Sequence, residues 1–306
     1  QAPTGIGKTM AALFPAVRAV GEGYGDKIFY LTAKTITRTV AEEAFSILKG
    51  KGLSYKTLTI TSKEKMCLMD EVECNPEKCP YAKGHFDRVN DAVYELLTEQ
   101  DTYQREVLLE QAEKWQVCPF EMCLDTSTWV DAVICDYNYV FDPNVYLKRF
   151  FGDGVKGDYL FLIDEAHNLV DRGRNMYSAV LCKEDFLEVK KVVKEHSRKL
   201  ERILEKCNKV LLEYKRECQD EYRVMENIGT LALQLMNLLG EMENFLEREQ
   251  EEKVRSAVLE FSFEVRHFLN MYDLLDENYV IYTYHGAEGR FYLTLFCVNP
   301  KVNLQE

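Results

Sequence analysis

The stretch QAPTGIGKT, residues 1–9, decides the fold prediction for this chain. Small side chains let backbone N–H groups surround phosphate oxygens, and the helix predicted at 9–20 would favour an anion at its N-terminus. Lys8 would contact the β- and γ-phosphates of a nucleotide, and Thr9 would bind Mg²⁺. A glycine-rich turn with an incidental lysine is the plain alternative. The predicted lining residues are Ala2 (where this loop usually has its first glycine), Pro3, Thr4, Gly5, Ile6, Gly7, Lys8 and Thr9.

Outward from this loop, helical and strand patterns alternate. A helix pattern lies at 38–49, and buried-strand patterns lie at 27–31, 57–61, 132–135 and 159–163. Such alternation is typical of a parallel sheet covered by helices. We therefore predict an α/β fold, interrupted by a cysteine-rich insertion at 63–126.

The later part of the chain reads differently. No proline occurs between Pro143 and Pro300, and apolar residues recur at helical spacing in 254–272, which favours long helices. The stretch FYLTLFCV, 291–298, has the character of a buried strand. We predict an all-helical insertion at 175–285, after which a final strand at 286–306 closes back onto the parallel sheet.

Length and charge limit the possible functions. A chain of 306 residues is too long for one compact core, and it has no apolar run of about 18 residues that would predict a membrane span. The formal net charge of −13 argues weakly against nucleic-acid binding, because phosphate affinity comes from lysine and arginine. A basic track can still lie on an acidic body. With neither an initiator methionine nor a signal peptide, the sequence predicts an intracellular fragment cut at its front end.

A second motif, YLFLIDEAH at 159–167, completes a nucleotide site. An apolar strand here delivers two acids at its carboxyl end. Asp164 would hold Mg²⁺ through water, and Glu165 would polarise the attacking water. His167 would link the γ-phosphate to neighbouring motifs. The plain alternatives are a solvated acidic turn and a surface histidine.

Ten cysteines without an export signal indicate metal or redox chemistry rather than disulfides. Four thiolates in the insertion suit either tetrahedral Zn²⁺ or a [4Fe–4S] cluster, and their spacing alone leaves both open. Cys123 competes with Cys118 for the fourth position. The candidate ligands are Cys67, Cys74, Cys79 and Cys118.

Two segments could contact a nucleic-acid backbone. In KIFYLTAKTITRT, 27–39, a strand leads into a turn rich in threonine and lysine, with phosphate donors at Thr32, Lys34, Thr35 and Thr37. A polar helix N-cap is the alternative. Basic residues that recur every four positions from Lys190 to Lys206 predict a stripe on one helix. The alternative there is a solvated face balanced by glutamates.

Taken together, these motifs resemble the iron–sulfur superfamily 2 DNA helicases of the XPD/DinG family. The acidic motif reads DEAH at 164–167, and the insertion lies between it and the phosphate loop, as the cluster domain does in that family. The resemblance rests on the stretches SKEKMC (62–67), CPYAK (79–83), CPF (118–120) and CDYNYVFDP (135–143).

The resemblance implies a P-loop RecA-like lobe formed by 1–62, 127–174 and 286–306, an iron–sulfur domain at 63–126 and an arch at 175–285. It implies ATP, Mg²⁺ and a [4Fe–4S] cluster as cofactors, and single-stranded, forked or duplex DNA as the partner. Cys118 is favoured over Cys123 because a proline and an aromatic residue follow it. Lys63 falls where the family places a basic residue near cluster and DNA.

The same resemblance implies 5′→3′ unwinding in DNA repair or replication, in the bacterial cytoplasm or a eukaryotic nucleus. The family's second motor lobe would lie beyond 306, so we expect the fragment itself to be inactive. Two other functions stay open. One is an RNA-directed DEAH motor with a zinc module, and the other is a non-motor metal-cluster scaffold with a nucleotide switch.

Overall fold

The computed structural model describes residues 7–33, 35–249 and 251–305, apart from the side chains of residues 35 and 36. The chain divides into two compact units, Gln1–Leu169 and Val170–Glu306. Among the described residues, no helix has both the length and the apolar character needed to cross a membrane.

The first unit contains a five-stranded parallel sheet with strand order β3-β2-β4-β1-β5. Its strands are β1 (Lys27–Thr32), β2 (Thr57–Thr59), β3 (Thr102–Tyr103), β4 (Ala132–Asp136) and β5 (Tyr159–Ile163). Every pairing between neighbours is parallel. The predicted α/β fold with a parallel sheet is therefore confirmed.

Strand β1 lies inside this sheet, between β4 and β5, and its sequence, KIFYLT, suits burial on both faces. All six of its residues are buried, as expected for a strand covered by helices on both sides. Helices α1 (Lys8–Gly21) and α2 (Thr35–Gly50) cover one face through Leu13 and Phe45. On the other face, the Phe29 ring lies 5.2 Å from Phe150.

The insertion contributes both helices and a strand. Helices α3 (Lys63–Met66), α4 (His85–Glu99), α5 (Arg105–Trp115) and α6 (Pro119–Thr126) follow in order. Between α4 and α5 the chain enters the sheet as β3, which pairs with β2 at Thr57 and Leu58. The insertion is thus joined to the parallel sheet along its β2 edge. Short helices α7 (Asn138–Phe141) and α8 (Lys148–Phe151) then follow β4.

The second unit combines helices with an antiparallel sheet of order β6-β9-β8-β7. The strands are β6 (Ala179–Cys182), β7 (Tyr222–Met225), β8 (Tyr279–His285) and β9 (Phe291–Cys297). The helices are α9 (Leu169–Met176), α10 (Lys183–Val193), α11 (Arg198–Glu217), α12 (Gly229–Leu246) and α13 (Glu252–Asp273). The region predicted to be helical therefore also contains β6, β7 and β8.

The prediction that the final strand returns to the parallel sheet is wrong. Strand β9 pairs antiparallel with β6 and β8, and its partners include Ala179 and Tyr279. Phe291, Leu293, Leu295 and Cys297 are buried on one face, while Tyr292 and Phe296 on the other face are partly exposed and Thr294 there is buried. Strands with one covered face are typical of antiparallel sheets.

Candidate functional site

The phosphate loop meets helix α1 at Gly7. This glycine has φ 78° and ψ 28°, a left-handed conformation that glycine adopts without steric cost, and its carbonyl oxygen accepts the Ala11 N–H at 3.0 Å. Lys8 is exposed and Thr9 is half-buried in the first turn. The other predicted lining residues, Ala2, Pro3, Thr4, Gly5 and Ile6, lie outside the described residues.

The acidic pair follows directly after β5. The backbone N–H of Asp164 donates to the Leu31 carbonyl at 2.9 Å, which ties the end of β5 to the end of β1. Glu165 takes φ 50° and ψ 43°, a left-handed conformation unusual for a residue with a side chain. Its carbonyl oxygen accepts the Asn168 N–H at 2.9 Å. His167 is exposed, and its Nδ1 lies 3.4 Å from Glu165 Oε2.

Electrostatics connect the two halves of this site. Burial, followed by the negative charge of Glu165, raises the pKa of Asp164, while the Lys8 ammonium opposes that rise. The structure therefore brings Lys8 and the acidic pair to one edge of the sheet. Two neighbouring carboxyl groups, one of them with a raised pKa, are suited to a divalent cation, which would relieve their repulsion.

Two buried tyrosines join the site, and the sequence patterns do not single them out. Burial raises the pKa of Tyr30; a hydrogen bond with the Thr9 hydroxyl lowers it, and the charge of Asp164 raises it further. Tyr137 is fully buried, and its hydroxyl donates to the carbonyl oxygen of Asp164. Tyr30 lies in the 27–39 stretch and Tyr137 in the 135–143 stretch, but nothing in either stretch indicates what the tyrosine hydroxyl contacts. Only the tertiary fold shows these contacts.

The cysteine-rich region places two candidate ligands around one lysine. Burial lowers the pKa of Lys63, but the Cys74 side chain, which shares a hydrogen bond with it, and the nearby Glu121 and Cys118 outweigh burial and raise the pKa. Among the described residues, no three histidine, cysteine or acidic side chains are grouped closely enough to hold a metal ion. Cysteine is a suitable residue type for a thiolate-bound metal. In this arrangement, however, the four candidate thiols are not grouped around one metal position. These thiols belong to Cys67, Cys74, Cys79 and Cys118.

Cys118 and Cys123 have different environments. The Cys118 N–H donates to His85 Nδ1 at 3.2 Å, and the Cys118 thiol is close enough to Lys63 to affect its pKa. Cys123 is fully buried, and burial raises the pKa of its thiol to about 12. Burial also raises the pKa of the Cys118 thiol, but Cys118 is only partly buried and the Lys63 charge opposes that rise. A metal ligand must be a thiolate, so the fully buried Cys123 has more the environment of an inert core thiol.

A cavity of about 880 Å³ opens at the carboxyl ends of β1, β2 and β4. Its lining is basic and aromatic, with Arg38, Lys63, Lys65, Lys148, Arg149, Phe120, Tyr139 and Tyr146. The Lys63 amino group lies 5.8 Å from the centre of the Phe120 ring. Arg38 donates to Thr61 Oγ1 at 3.3 Å. Arg38 Nε and Asn138 Oδ1 are buried without a hydrogen-bond partner in the described part of the chain.

The predicted nucleic-acid contacts fall in different places. Lys63 lines the cavity, whereas Thr32 is 1% exposed and its hydroxyl donates to the Cys135 carbonyl at 3.5 Å. The hydroxyl of Thr32 is therefore inside the sheet, away from any phosphate at the surface. Lys34 and the side chain of Thr35 lie outside the described residues.

The basic residues from Lys190 to Lys206 do not form a stripe on one helix. Helix α10 ends at Val193, and α11 begins at Arg198. Ser197 caps α11 by accepting the Leu200 N–H at 3.2 Å, so the basic residues are divided between two helices. Lys190 pairs with Glu205 at 2.8 Å, as expected for a solvated face balanced by glutamates.

Comparison with known proteins identifies the family. The DEAD_2 family model matches residues 32–186. The Fanconi anemia group J protein homolog of Gallus gallus is 33% identical over 88 residues, which are 28% of this chain and 7% of that protein. A solved XPD helicase matches with a TM-score of 0.57 and 18% identity, over 96% of this chain and 50% of that one.

A truncated XPD matches with a TM-score of 0.58 and 21% identity, over 95% of this chain and 79% of that one. At these identities the solved structures show a shared fold alone. The chain spans half the length of the XPD helicase and a small part of the chicken protein. Because the family model covers just over half of the 306 residues, the chain belongs to the DEAD_2 family of XPD/DinG-type helicases.

Proposed function

We propose that this chain is the nucleotide-binding motor part of an ATP-dependent DNA helicase that moves along single-stranded DNA and unwinds duplexes. The observation that carries the proposal is the convergence of Lys8 with the acidic pair Asp164 and Glu165 at one edge of the parallel sheet. ATP hydrolysis uses a lysine that binds the phosphates, an acid that holds Mg²⁺ and a residue that orients the attacking water.

Each residue of the site has a role in this proposal. Lys8 binds the β- and γ-phosphates, and the Thr9 hydroxyl and Asp164 hold Mg²⁺. Glu165 accepts a proton from the attacking water. His167 links the Glu165 carboxylate to groups that approach from the solvent side. The His167 Nδ1 atom lies 3.4 Å from Glu165 Oε2.

We propose that the cavity binds the DNA backbone. Its cationic side chains offer phosphate contacts, and Phe120, Tyr139 and Tyr146 offer rings on which bases stack. The cavity lies at the carboxyl ends of parallel strands, where ligands of open α/β sheets bind. The 5′→3′ polarity and a role in repair or replication, in the bacterial cytoplasm or a eukaryotic nucleus, rest on the family resemblance.

We also propose that Cys67, Cys74, Cys79 and Cys118 hold a [4Fe–4S] cluster, whose contribution would be to fix the insertion in shape. Family membership and the donor types support this proposal. The described arrangement of these cysteines does not, so no step of the reaction is assigned to the cluster.

The test uses the full-length protein and forked DNA with either a 5′ or a 3′ tail. Unwinding that needs ATP and a 5′ tail supports the proposal. Stimulation of the ATPase by RNA but not by DNA would point to an RNA-directed motor. Nucleotide binding without hydrolysis would point to a scaffold with a nucleotide switch. Either result would overturn the proposal.

A further inference from the structure

Residues 136–139 lie between the cavity and the acidic pair. Asp136, Asn138 and Tyr139 line the cavity. Tyr137 does not line it; this residue is fully buried, and its hydroxyl donates to the carbonyl oxygen of Asp164. Within these four consecutive residues, three line the proposed DNA cavity and the fourth holds the peptide that joins Asp164 to Glu165.

At the nucleotide end, Tyr137 controls the backbone that leads into Glu165. The peptide units on both sides of Asp164 are held, since its N–H donates to the Leu31 carbonyl at 2.9 Å and its carbonyl accepts from Tyr137. Glu165 has a left-handed conformation with φ 50°, which a residue with a side chain keeps only when its surroundings impose it. The Tyr137 hydroxyl contacts the peptide unit that joins Asp164 to Glu165.

At the cavity end, the neighbouring residue is poised for a ligand. The Asn138 N–H donates to Asp136 Oδ1 at 3.0 Å, while Asn138 Oδ1 is buried without a donor among the described residues. Across the same cavity, Arg38 Nε has no acceptor there. A nucleotide strand offers both missing groups, because its phosphates accept hydrogen bonds and its bases donate them.

We propose that Tyr137 is a positioning residue that couples DNA in the cavity to the orientation of Glu165. DNA bound at Asn138 and Tyr139 fixes the 136–139 turn, which holds the Tyr137 hydroxyl on the Asp164 carbonyl and Glu165 in its left-handed conformation. In the absence of DNA the turn is held less firmly, so Glu165 polarises water less often. This coupling rests on the proposed function, since it needs both ATP hydrolysis and DNA binding.

Tyr137→Phe in the full-length protein tests the coupling, because it removes only the hydroxyl from a buried ring. The measurement is the ratio of ATP hydrolysis rates with and without saturating oligodeoxythymidine on the same sample, so any unfolded fraction cancels. We expect the ratio to fall about fivefold, with the KM for ATP and the DNA affinity within about twofold of wild type.

Tyr55→Phe is the matched control. Tyr55 is buried in the same unit, and its hydroxyl has no partner in the described structure, so its loss should leave the ratio unchanged. A wild-type ratio in Tyr137→Phe would overturn the coupling and leave the proposed function intact. A wild-type protein that DNA does not stimulate would overturn both.

Discussion

The backbone N–H of Asp164 donates a 2.9 Å hydrogen bond to the carbonyl oxygen of Leu31. This contact continues the parallel register in which Leu31 lies beside Ile163, so the end of β1 fixes the acidic pair at the carboxyl edge of the sheet. Helix α1 starts at the same edge, with Lys8 in its first turn.

Replacing Lys8 with alanine should abolish most ATP hydrolysis. The substitution removes the ammonium that would stabilise charge on the transferred phosphate, and loss of one such group lowers the rate about 100-fold. DNA-stimulated phosphate release from the full-length protein is the measurement. Arg18→Ala is the control on the same helix, since Arg18 is exposed and pairs with Glu22 at 2.6 Å. Near-normal hydrolysis in Lys8→Ala would remove the lysine from the mechanism.

Glu165→Gln should separate binding from chemistry. Glutamine keeps the shape of the side chain but cannot accept a proton from water, so we expect kcat to fall about 10²- to 10⁴-fold. ATP affinity, measured with a fluorescent analogue, should stay within about twofold of wild type, because Lys8, Thr9 and Asp164 remain. The control is Glu22→Gln, directly after the end of α1. An unchanged kcat would assign the water-activating role to another group.

Asp164→Asn should raise thermal stability at neutral pH. Burial, and next the charge of Glu165, raise the pKa of Asp164 in the folded protein. Below a pH of about 4, the ordinary pKa of an aspartate in the unfolded chain, the Asp164 carboxyl group is protonated in both the folded and the unfolded protein. As the pH rises through the higher pKa of the folded protein, the proton whose binding favours the folded state is lost and the free energy of unfolding falls. Ionised Asp164 therefore destabilises the fold at pH 7.

Melting temperatures of the metal-free protein across pH 3.5–8 measure this effect. The advantage of Asp164→Asn over wild type should shrink toward zero at the acidic end. Asp153→Asn removes the same charge from an exposed position and should show little difference at any pH. A lower melting temperature for Asp164→Asn at pH 7 would contradict the electrostatic explanation.

The parallel sheet could be predicted from the sequence because its main strands carry their own signal. Strand β5 runs from Tyr159 to Ile163, as its apolar run predicts, and β1 extends the predicted strand by one residue, to Thr32. Strand β3 has two residues and exists only through pairing with β2, so no local pattern could indicate it. The pairing of Ala179 with Leu295 joins residues more than 100 positions apart, and for that reason the antiparallel sheet was also not predicted.

The candidate site likewise contains some residues that could be predicted from the sequence and others that could not. Lys8, Thr9 and Asp164 were predicted because phosphate and metal chemistry demands particular residue types at fixed spacings. Tyr30 and Tyr137 were not predicted, since a buried tyrosine gains a role only from the group its hydroxyl meets. Thr32 shows the opposite case, because its residue type suits a phosphate but its strand buries it.

The two competing cysteines can be distinguished by paired substitutions. We expect Cys118→Ala to reduce bound iron well below the roughly four atoms of a [4Fe–4S] cluster. Cys123→Ala should retain the iron, because Cys123 is fully buried in the core. Iron analysis and absorbance near 400 nm on anaerobically purified protein are the measurements. Stoichiometric zinc in protein never exposed to oxygen would refute the cluster altogether.

Lys63→Ala should weaken single-stranded DNA binding without loss of iron. Lys63 lines the cavity with its amino group 5.8 Å from the centre of the Phe120 ring, where it can contact both a phosphate and a stacked base. Loss of one phosphate contact should reduce the slope of log affinity against log salt by about 1. Fluorescence anisotropy with a labelled oligonucleotide at several salt concentrations measures that slope.

Lys51→Ala supplies the comparison for this experiment. Lys51 is exposed in the turn after α2. Helix α2 begins after the carboxyl end of β1 and leads to the start of β2, so Lys51 lies at the opposite edge of the sheet from the cavity. It carries the same charge but should leave the slope unchanged. Equal effects of the two substitutions would mean that DNA responds to the overall charge of the protein, and the cavity would then have no special role in binding.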